Sequence, residues 1–304
     1  MRVSSEELPS YETRLLALSS EATVDHLRNR TVNQDLFEVI PHLPSGFADM
    51  LFLDPPYNLT KSFNQTTFAR RPQADYGSWF SSWFVPLLRV LKPTASVYVC
   101  ADWRSSGEVH RILEEHLIVR NRITWEREKG RGAKSNWKNC LEDIWFCSTS
   151  DTYTFNVEAV KLRKRVIAPY TDRNGRPKDW TRGDAGDYRL THPSNLWTDL
   201  TVPFWSMSEN TDHPTQKPEK LLAKLILAST SPNEIVFDPF AGSGTTSVVA
   251  KKLGRQYVGI ELDHDYCCLA EKRLALADHD RTIQGYSEGV FWERNSAVSS
   301  RLRA

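Results

Sequence analysis

The sequence predicts an α/β fold in which a mainly parallel sheet carries helices on both faces. Three observations lead there. Residues 47–53 and 95–100 are short, near-continuous apolar runs, the pattern of strands buried on both sides. Stretches with helical spacing alternate with such runs, at 75–91, 106–116 and 219–229. Two of the runs stop at an acid followed by turn formers, Asp54 and Asp238, and open α/β sheets bind ligands beyond their carboxyl strand ends.

Residues 1–30 are expected to be an N-terminal extension with a short helix over 11–18. A short strand then ends at Asp35, and 36–43 reads as a short helix that Asp35 could cap. The buried strand 47–53 follows. Residues 58–73 are polar, with Phe63 and Phe68, and read as a flexible loop. In 75–91, Trp79, Phe80, Trp83, Phe84, Leu87, Leu88 and Leu91 recur at helical spacing, as core residues do. Pro93 is expected to end that helix. Strand 95–100, helix 106–116 and strands 117–125 and 144–148 come next, the last two separated by a basic loop, 126–139. From 154 to 205 the apolar periodicity lapses and Asn174-Gly175 and 183–186 mark turns, which suits an insert. Helix 219–229, strand 234–238, strand 256–261 and helix 264–276 restore the alternation. The expected division is 1–30, 31–153, the insert 154–212, 213–277 and a weakly ordered tail, 278–304.

With 304 residues, 40% hydrophobic and 25% charged, the composition is that of a soluble globular protein. No run of about 18 apolar residues suggests a membrane span, and the first ten residues lack a signal-peptide core. The cysteines, Cys100, Cys140, Cys147, Cys267 and Cys268, show no metal-ligand spacing, and no metal is expected; a reducing cytoplasm fits. Net charge is +1, but it is unevenly spread. Residues 161–182 carry eight bases against Asp172 and Asp179, and 117–138 carry seven against Glu126 and Glu128. Such local basic surface is the footprint of a nucleic-acid binder. Arginine in the insert could read guanine, and Asn or Gln adenine, in a major groove.

The strand of 47–53 stops at Asp54-Pro55-Pro56-Tyr57. Asp54 is an acceptor, and the Pro55 carbonyl has no N–H beside it at Pro56. The two prolines stiffen the turn, and Tyr57 offers a flat face. An acceptor pair beside a stacking ring suits the exocyclic amine of a base taken out of its helix. A plain strand-ending turn would use similar residues. A second site segment runs Asp238-Pro239-Phe240-Ala241-Gly242-Ser243-Gly244-Thr245-Thr246, strand end to glycine turn to helix start. The glycines permit close backbone approach, and the helix start favours an anion. A P-loop would need Lys after Gly244, where Thr245 stands; a dinucleotide fingerprint would need Gly at Ser247. Glu261 ends the next strand, where an acid can accept from ribose hydroxyls.

Together these two segments resemble the β group of amino-methylating DNA methyltransferases, most like the type II adenine enzymes, over about residues 31–275. The resemblance implies a Rossmann-like methyltransferase sheet with circularly permuted motif order and a target-recognition insert. It implies S-adenosylmethionine as cofactor and site-specific methyl transfer to adenine N6 in duplex DNA, by base flipping and direct in-line transfer. Asp54, Pro55, Pro56 and Tyr57 would be catalytic. Asp35 would meet the cofactor adenine, with Leu36, Pro56, Leu262 and Asp263 near it and Glu261 on its ribose. Asp238 to Thr246 would form the methionine end, with Lys217 of His213-Pro214-Thr215-Gln216-Lys217-Pro218 pairing with the methionine carboxylate. In relatives the loop matching 58–73 closes on DNA. Candidate DNA contacts are Arg127, Lys129, Arg131 and Lys134 in one loop, and Arg163, Lys164, Arg165, Arg173, Arg176 and Lys178 in the insert. A restriction endonuclease of the same system and a second copy of the chain are possible partners. The same fold serves cytosine N4 methylation, and Asp rather than Ser before Pro-Pro-Tyr leans to adenine. A non-catalytic DNA-binding subunit and a methyltransferase for RNA or small molecules are further alternatives. No cysteine sits in the Pro-Cys setting that attack on a cytosine ring carbon requires.

Overall fold

A computed structural model describes residues 1–63, 66–127, 135, 137–167, 169–183 and 186–294. Lys129, Arg131 and Lys134, expected to contact DNA, lie outside the described residues. In chain order the strands are β1 (Arg30–Asn33), β2 (Ala48–Leu53), β3 (Lys61–Phe63), β4 (Thr66–Phe68), β5 (Leu91–Ala101), β6 (Ile118–Glu126) and β7 (Leu141–Ser148). They continue with β8 (Leu162–Arg165), β9 (Tyr188–Thr191), β10 (Leu196–Trp197), β11 (Ile235–Asp238), β12 (Gln256–Glu261), β13 (Tyr286–Ser287) and β14 (Val290–Trp292). The α-helices are α1 (Leu8–Glu12), α2 (Val24–Leu27), α3 (Leu36–Val39), α4 (Gln73–Leu87), α5 (Ser106–His116), α6 (Glu219–Ser229), α7 (Thr245–Lys252) and α8 (His264–Leu276).

The main sheet has the order β1-β12-β11-β2-β5-β7-β6-β10, and only β7 runs against the rest. Period-two alternation sorts β2 and β5 between two cores. Leu51, Leu53, Val97 and Val99 face Phe80, Trp83 and Phe84 of α4 and Ile112 and Leu113 of α5. Met50, Phe52, Tyr98 and Cys100 face Leu221 and Leu225 of α6 and Val248 and Val249 of α7. From β2 the chain steps outward to β5, whereas from β11 it steps the other way to β12. The β2/β11 junction is therefore a switch point, where a crevice opens beyond the strand ends. Asp54 follows β2 there, and Asp238 closes β11.

Four expectations need correction. The N-terminal helix is Leu8–Glu12, not 11–18: Pro9 sets its first turn, and Leu16 instead makes a parallel bridge to Val32. Pro93 does not end α4; that helix stops at Leu87, and Pro93 lies within β5. The register jumps there from Ala48↔Leu91 to Met50↔Ser96, so Pro93 sits in an irregularity where a missing N–H breaks no ladder. Segment 58–73 contains the antiparallel β3–β4 hairpin, closed at its base by Asn58, whose side chain donates to the Arg71 carbonyl (2.9 Å) and accepts from the Arg71 N–H (2.8 Å).

The fourth concerns residues 278–294 of the tail; residues 295–304 lie outside the described residues. Strands β13 and β14 join β8 and β9 in a second, four-stranded sheet, so the insert and the C-terminal segment form one unit. Phe291 is fully buried in it. Arg163 is held between the rings of Tyr188 and Trp292, at 3.5 and 4.4 Å, instead of standing free for DNA. Among the described residues no helix is long and apolar enough to cross a membrane.

Candidate active site

The switch-point crevice is a cavity of about 520 Å³. Asp54, Pro55, Pro56 and Tyr57 line it from the β2 end, and Pro239, Phe240 and Gly242 from the β11 end. Glu261, Leu262 and Asp263 enter from the β12 end, with Asp35 and Leu36 from the turn after β1. A smaller cavity is walled by Asp54, Lys217, Asp238, Ala241, Ser243, Thr245 and Thr246. The two segments remote in sequence thus open onto one space.

The Asp-Pro-Pro-Tyr turn is fixed from several sides. Tyr76 of α4 donates to the Pro56 carbonyl at 3.2 Å. The Tyr57 hydroxyl lies 3.0 Å from Asp54 Oδ1 and 3.1 Å from Glu142 Oε2. Burial, then the Asp54 and Glu142 carboxylates, push the phenol far above its ordinary pKa. Lys217 Nζ stands 2.5 Å from Asp54 Oδ2 and 3.7 Å from Glu142 Oε2, which puts it at the acceptor side of the site, and it also lines the smaller cavity beside Thr245 and Thr246. Burial works against its charge, but the Asp54 and Glu142 carboxylates prevail and raise its pKa. Arg127 stands at the site as well. It lines the cavity, ion-paired with Glu142 and lying over the Trp125 ring.

Glu142, Trp125, Trp79 and Trp83 are site residues that motif reading did not single out, and His213, the first residue of the His213–Pro218 block, joins them. Glu142 shares the inward register of β7 with Ile144 and Phe146, and an acid in a core register is a signal visible only once that register is known. Because β7 is antiparallel, its beginning lies at the edge where β2 and β5 end.

On the other wall, Glu261 Oε2 accepts from the Gly242 N–H and Oε1 from the Asp263 N–H, both at 2.8 Å. Burial raises the Glu261 pKa against these bonds. A carboxylate has about four acceptor sites, so capacity remains for ligand hydroxyls. Gly242 (φ +53°) approaches His213 so closely that a Cβ would stand 2.9 Å from Nε2. Gly244 (φ +75°) differs from expectation: it lines neither cavity, and a Cβ there would meet the Ala270 Cβ at 2.5 Å. Its role is to let α8 pack beneath the turn. Arg273 of α8 donates to the Ser243 carbonyl and the Thr245 hydroxyl, each at 2.9 Å.

Asp238 accepts from Thr246 Oγ1 (2.5 Å) and the Phe240 N–H (2.9 Å), and burial brings its pKa up to about 7. Asp35 caps α3 by accepting from the Phe37 N–H at 2.8 Å, and Asp263 caps α8 through the Tyr266 N–H at 3.0 Å. Phe240, packed on Trp83 at 4.8 Å between centroids, and half-exposed Leu262 give flat apolar walls. Acceptors at strand ends beside flat walls fit a ligand with a hydroxylated sugar and a planar ring. Lys164, Arg165, Arg173, Arg176 and Lys178 are exposed on the insert, away from this lining.

The family model N6_N4_Mtase, described as DNA methylase, matches residues 48–272. DNA adenine methyltransferase YhdJ of Escherichia coli (strain K12) is 31% identical over 255 residues, covering 82% of this chain and 83% of YhdJ. The M1.HpyAVI–SAM complex superposes with a TM-score of 0.55 at 25% identity, over 80% of this chain and 98% of that one. PvuII DNA methyltransferase, cytosine-N4-specific, shares the fold with a TM-score of 0.59 at 17% identity, over 83% and 92% of the two chains. A model spanning most of the chain, and a relative of this identity and coverage, establish that the protein belongs to the N6/N4 amino DNA methyltransferase family and uses S-adenosylmethionine.

Proposed function

We propose that the protein methylates the N6 amine of adenine in duplex DNA, after rotating the base into the cavity. The carrying observation is that Asp54, Tyr57 and Glu261 converge on one space. S-adenosylmethionine, when bound, supplies an electrophilic methyl group on a sulfonium centre. Glu261 would hold its ribose, with Asp35, Leu36, Leu262 and Asp263 around its adenine and Phe240 on the ring face. The first turn of α7, with Thr245 and Thr246, would take its carboxylate, since Lys217 is committed to Asp54.

The chain's own residues then act on the amine. Its lone pair is delocalised into the purine ring, which makes it a weak nucleophile. Asp54 and the Pro55 carbonyl would accept its two N–H bonds and draw electron density back onto nitrogen. Asp54 keeps acceptor capacity for this beside Lys217 and Tyr57. A hydrogen bond to a charged group is worth about 1.5–3 kcal/mol, and flipping a base costs a few. Stacking on Tyr57 supplies part of the difference. Asp54 would take the proton that the methylated nitrogen sheds.

Digestion of DNA methylated by the protein, followed by nucleoside chromatography, should yield N6-methyladenosine as the deoxynucleoside. Its N4-methylcytosine counterpart would overturn the adenine reading. Asp54→Ala should abolish methyl transfer while calorimetric affinity for S-adenosylmethionine stays within about threefold, a change under 1 kcal/mol. Retained turnover in that variant would remove Asp54 from the chemistry.

A further inference from the structure

The Tyr57 hydroxyl is within hydrogen-bond distance of two carboxylates, Asp54 Oδ1 at 3.0 Å and Glu142 Oε2 at 3.1 Å. A phenol has one hydrogen and can donate to only one of them at a time. With both carboxylates ionised, the second contact sets lone pairs against each other. One added proton, on either acid, removes the conflict: each oxygen contact then has a hydrogen between its partners. The cluster is therefore arranged to hold one more proton and has two places to keep it.

Its surroundings suit that task. Lys217 spans both acids, at 2.5 Å from Asp54 and 3.7 Å from Glu142, and Arg127 binds the other Glu142 oxygen. Lys61 from β3 and Cys100 from β5 also face the group, and burial holds the Cys100 thiol far above its ordinary pKa, so it stays protonated. Lys217 and Arg127 pair directly with the two carboxylates and Lys61 adds a third positive charge beside them, while one oxygen contact of the phenol is left without a hydrogen.

We propose that Glu142, acting through the Tyr57 hydroxyl, is the positioning residue that receives the proton shed by the methylated amine, a step that rests on Asp54 being the group that accepts that amine. The nitrogen N–H bond breaks as an O–H bond forms on Asp54. Asp54 passes its proton to the Tyr57 oxygen while Tyr57 passes its own to Glu142. The net change is one N–H bond lost and one Glu142 O–H bond gained, with no change of oxidation state and no free phenolate. Asp54 returns to its ionised form, ready for the next base. Glu142 lines the cavity and can release the proton there once product has left.

The test uses the full chain with duplex DNA and radiolabelled S-adenosylmethionine, and measures kcat from pH 5 to 9. Glu142→Gln keeps the shape but cannot take the proton, and Tyr57→Phe keeps the stacking ring but cuts the relay. Each should lower kcat on the order of 10²-fold and alter its acidic limb, which Asp54 alone then sets, with cofactor affinity unchanged. The double variant should be no slower than the worse single, because both break one chain. Glu142→Asp should recover part of the rate. Wild-type kcat and pH profile in Glu142→Gln, or losses that multiply in the double variant, would overturn the relay. If Glu142→Gln does not fold, Tyr57→Phe decides alone, since full kcat without the hydroxyl is incompatible with the proposal. An active Asp54→Ala would instead sink the underlying assignment, so the two failures are separable.

Discussion

At the scale of single residues, the site depends on close approaches that its neighbours enforce. His213 lies against the Gly242 backbone and packs its ring on Tyr266 at 4.4 Å, and burial brings its pKa down to about 4 from an ordinary 6.5. Between those values the unfolded chain binds a proton that the native chain refuses. Stability from this group is therefore full above about pH 6.5 and is lost as pH falls toward 4. Chemical denaturation at pH 7.5 and pH 5 should show the wild type losing more stability than His213→Gln over that interval. An equal loss in both would show that His213 does not titrate as its burial dictates. The half of the site around Asp54 was legible because a strand that runs into two prolines announces its own end. Glu142 was not, because a single acid in a strand gains meaning only when β5 and the antiparallel β7 carry it to the edge where β2 stops. Motif position located Lys217 in the cavity, but only packing revealed the Asp54 carboxylate within its reach.

At the scale of elements, those carrying an apolar run or face were readable, down to the four-residue β11, and the two- and three-residue strands were not. Helices α5 and α6 fall at the expected residues because each carries an apolar face over three turns. Strands β13 and β14 hold two and three residues, too few for any period to appear, and they form only by adding to β8. Their contribution is nonetheless large. Phe291 pairs in register with Leu162, is fully buried, and packs in the core beneath α6. Lys220 and Lys224 of α6 share buried Asp199, and Lys220 also donates to the Trp292 carbonyl, so the C-terminal strand is tied to both the insert and the cofactor half. Phe291→Ala should cost about 3–5 kcal/mol in denaturant unfolding, the usual range for emptying a buried aromatic site. A cost below about 1 kcal/mol would mean that the second sheet is an ornament on an independently stable domain.

At the scale of the whole molecule, a net charge of +1 cannot draw DNA by long-range attraction, so affinity for phosphates must come from where the bases stand. Arg127 and Arg163 are spent inside the protein, on Glu142 and on two aromatic rings. Among the described residues, the side chains of Arg173, Arg176 and Lys178 show no such commitment, and they are exposed on the turn-rich part of the insert. If they meet the DNA backbone, each phosphate neutralised adds about 0.9 to the slope of log affinity against log salt. Replacing all three with alanine should therefore reduce that slope by up to about three, weaken binding to specific and nonspecific duplexes alike, and leave affinity for S-adenosylmethionine untouched. Fluorescence anisotropy with a labelled duplex over 50–200 mM salt reads the slope directly. An unchanged slope would move the electrostatic contact off the insert's tip, onto exposed Lys164 and Arg165 or onto surface elsewhere in the chain.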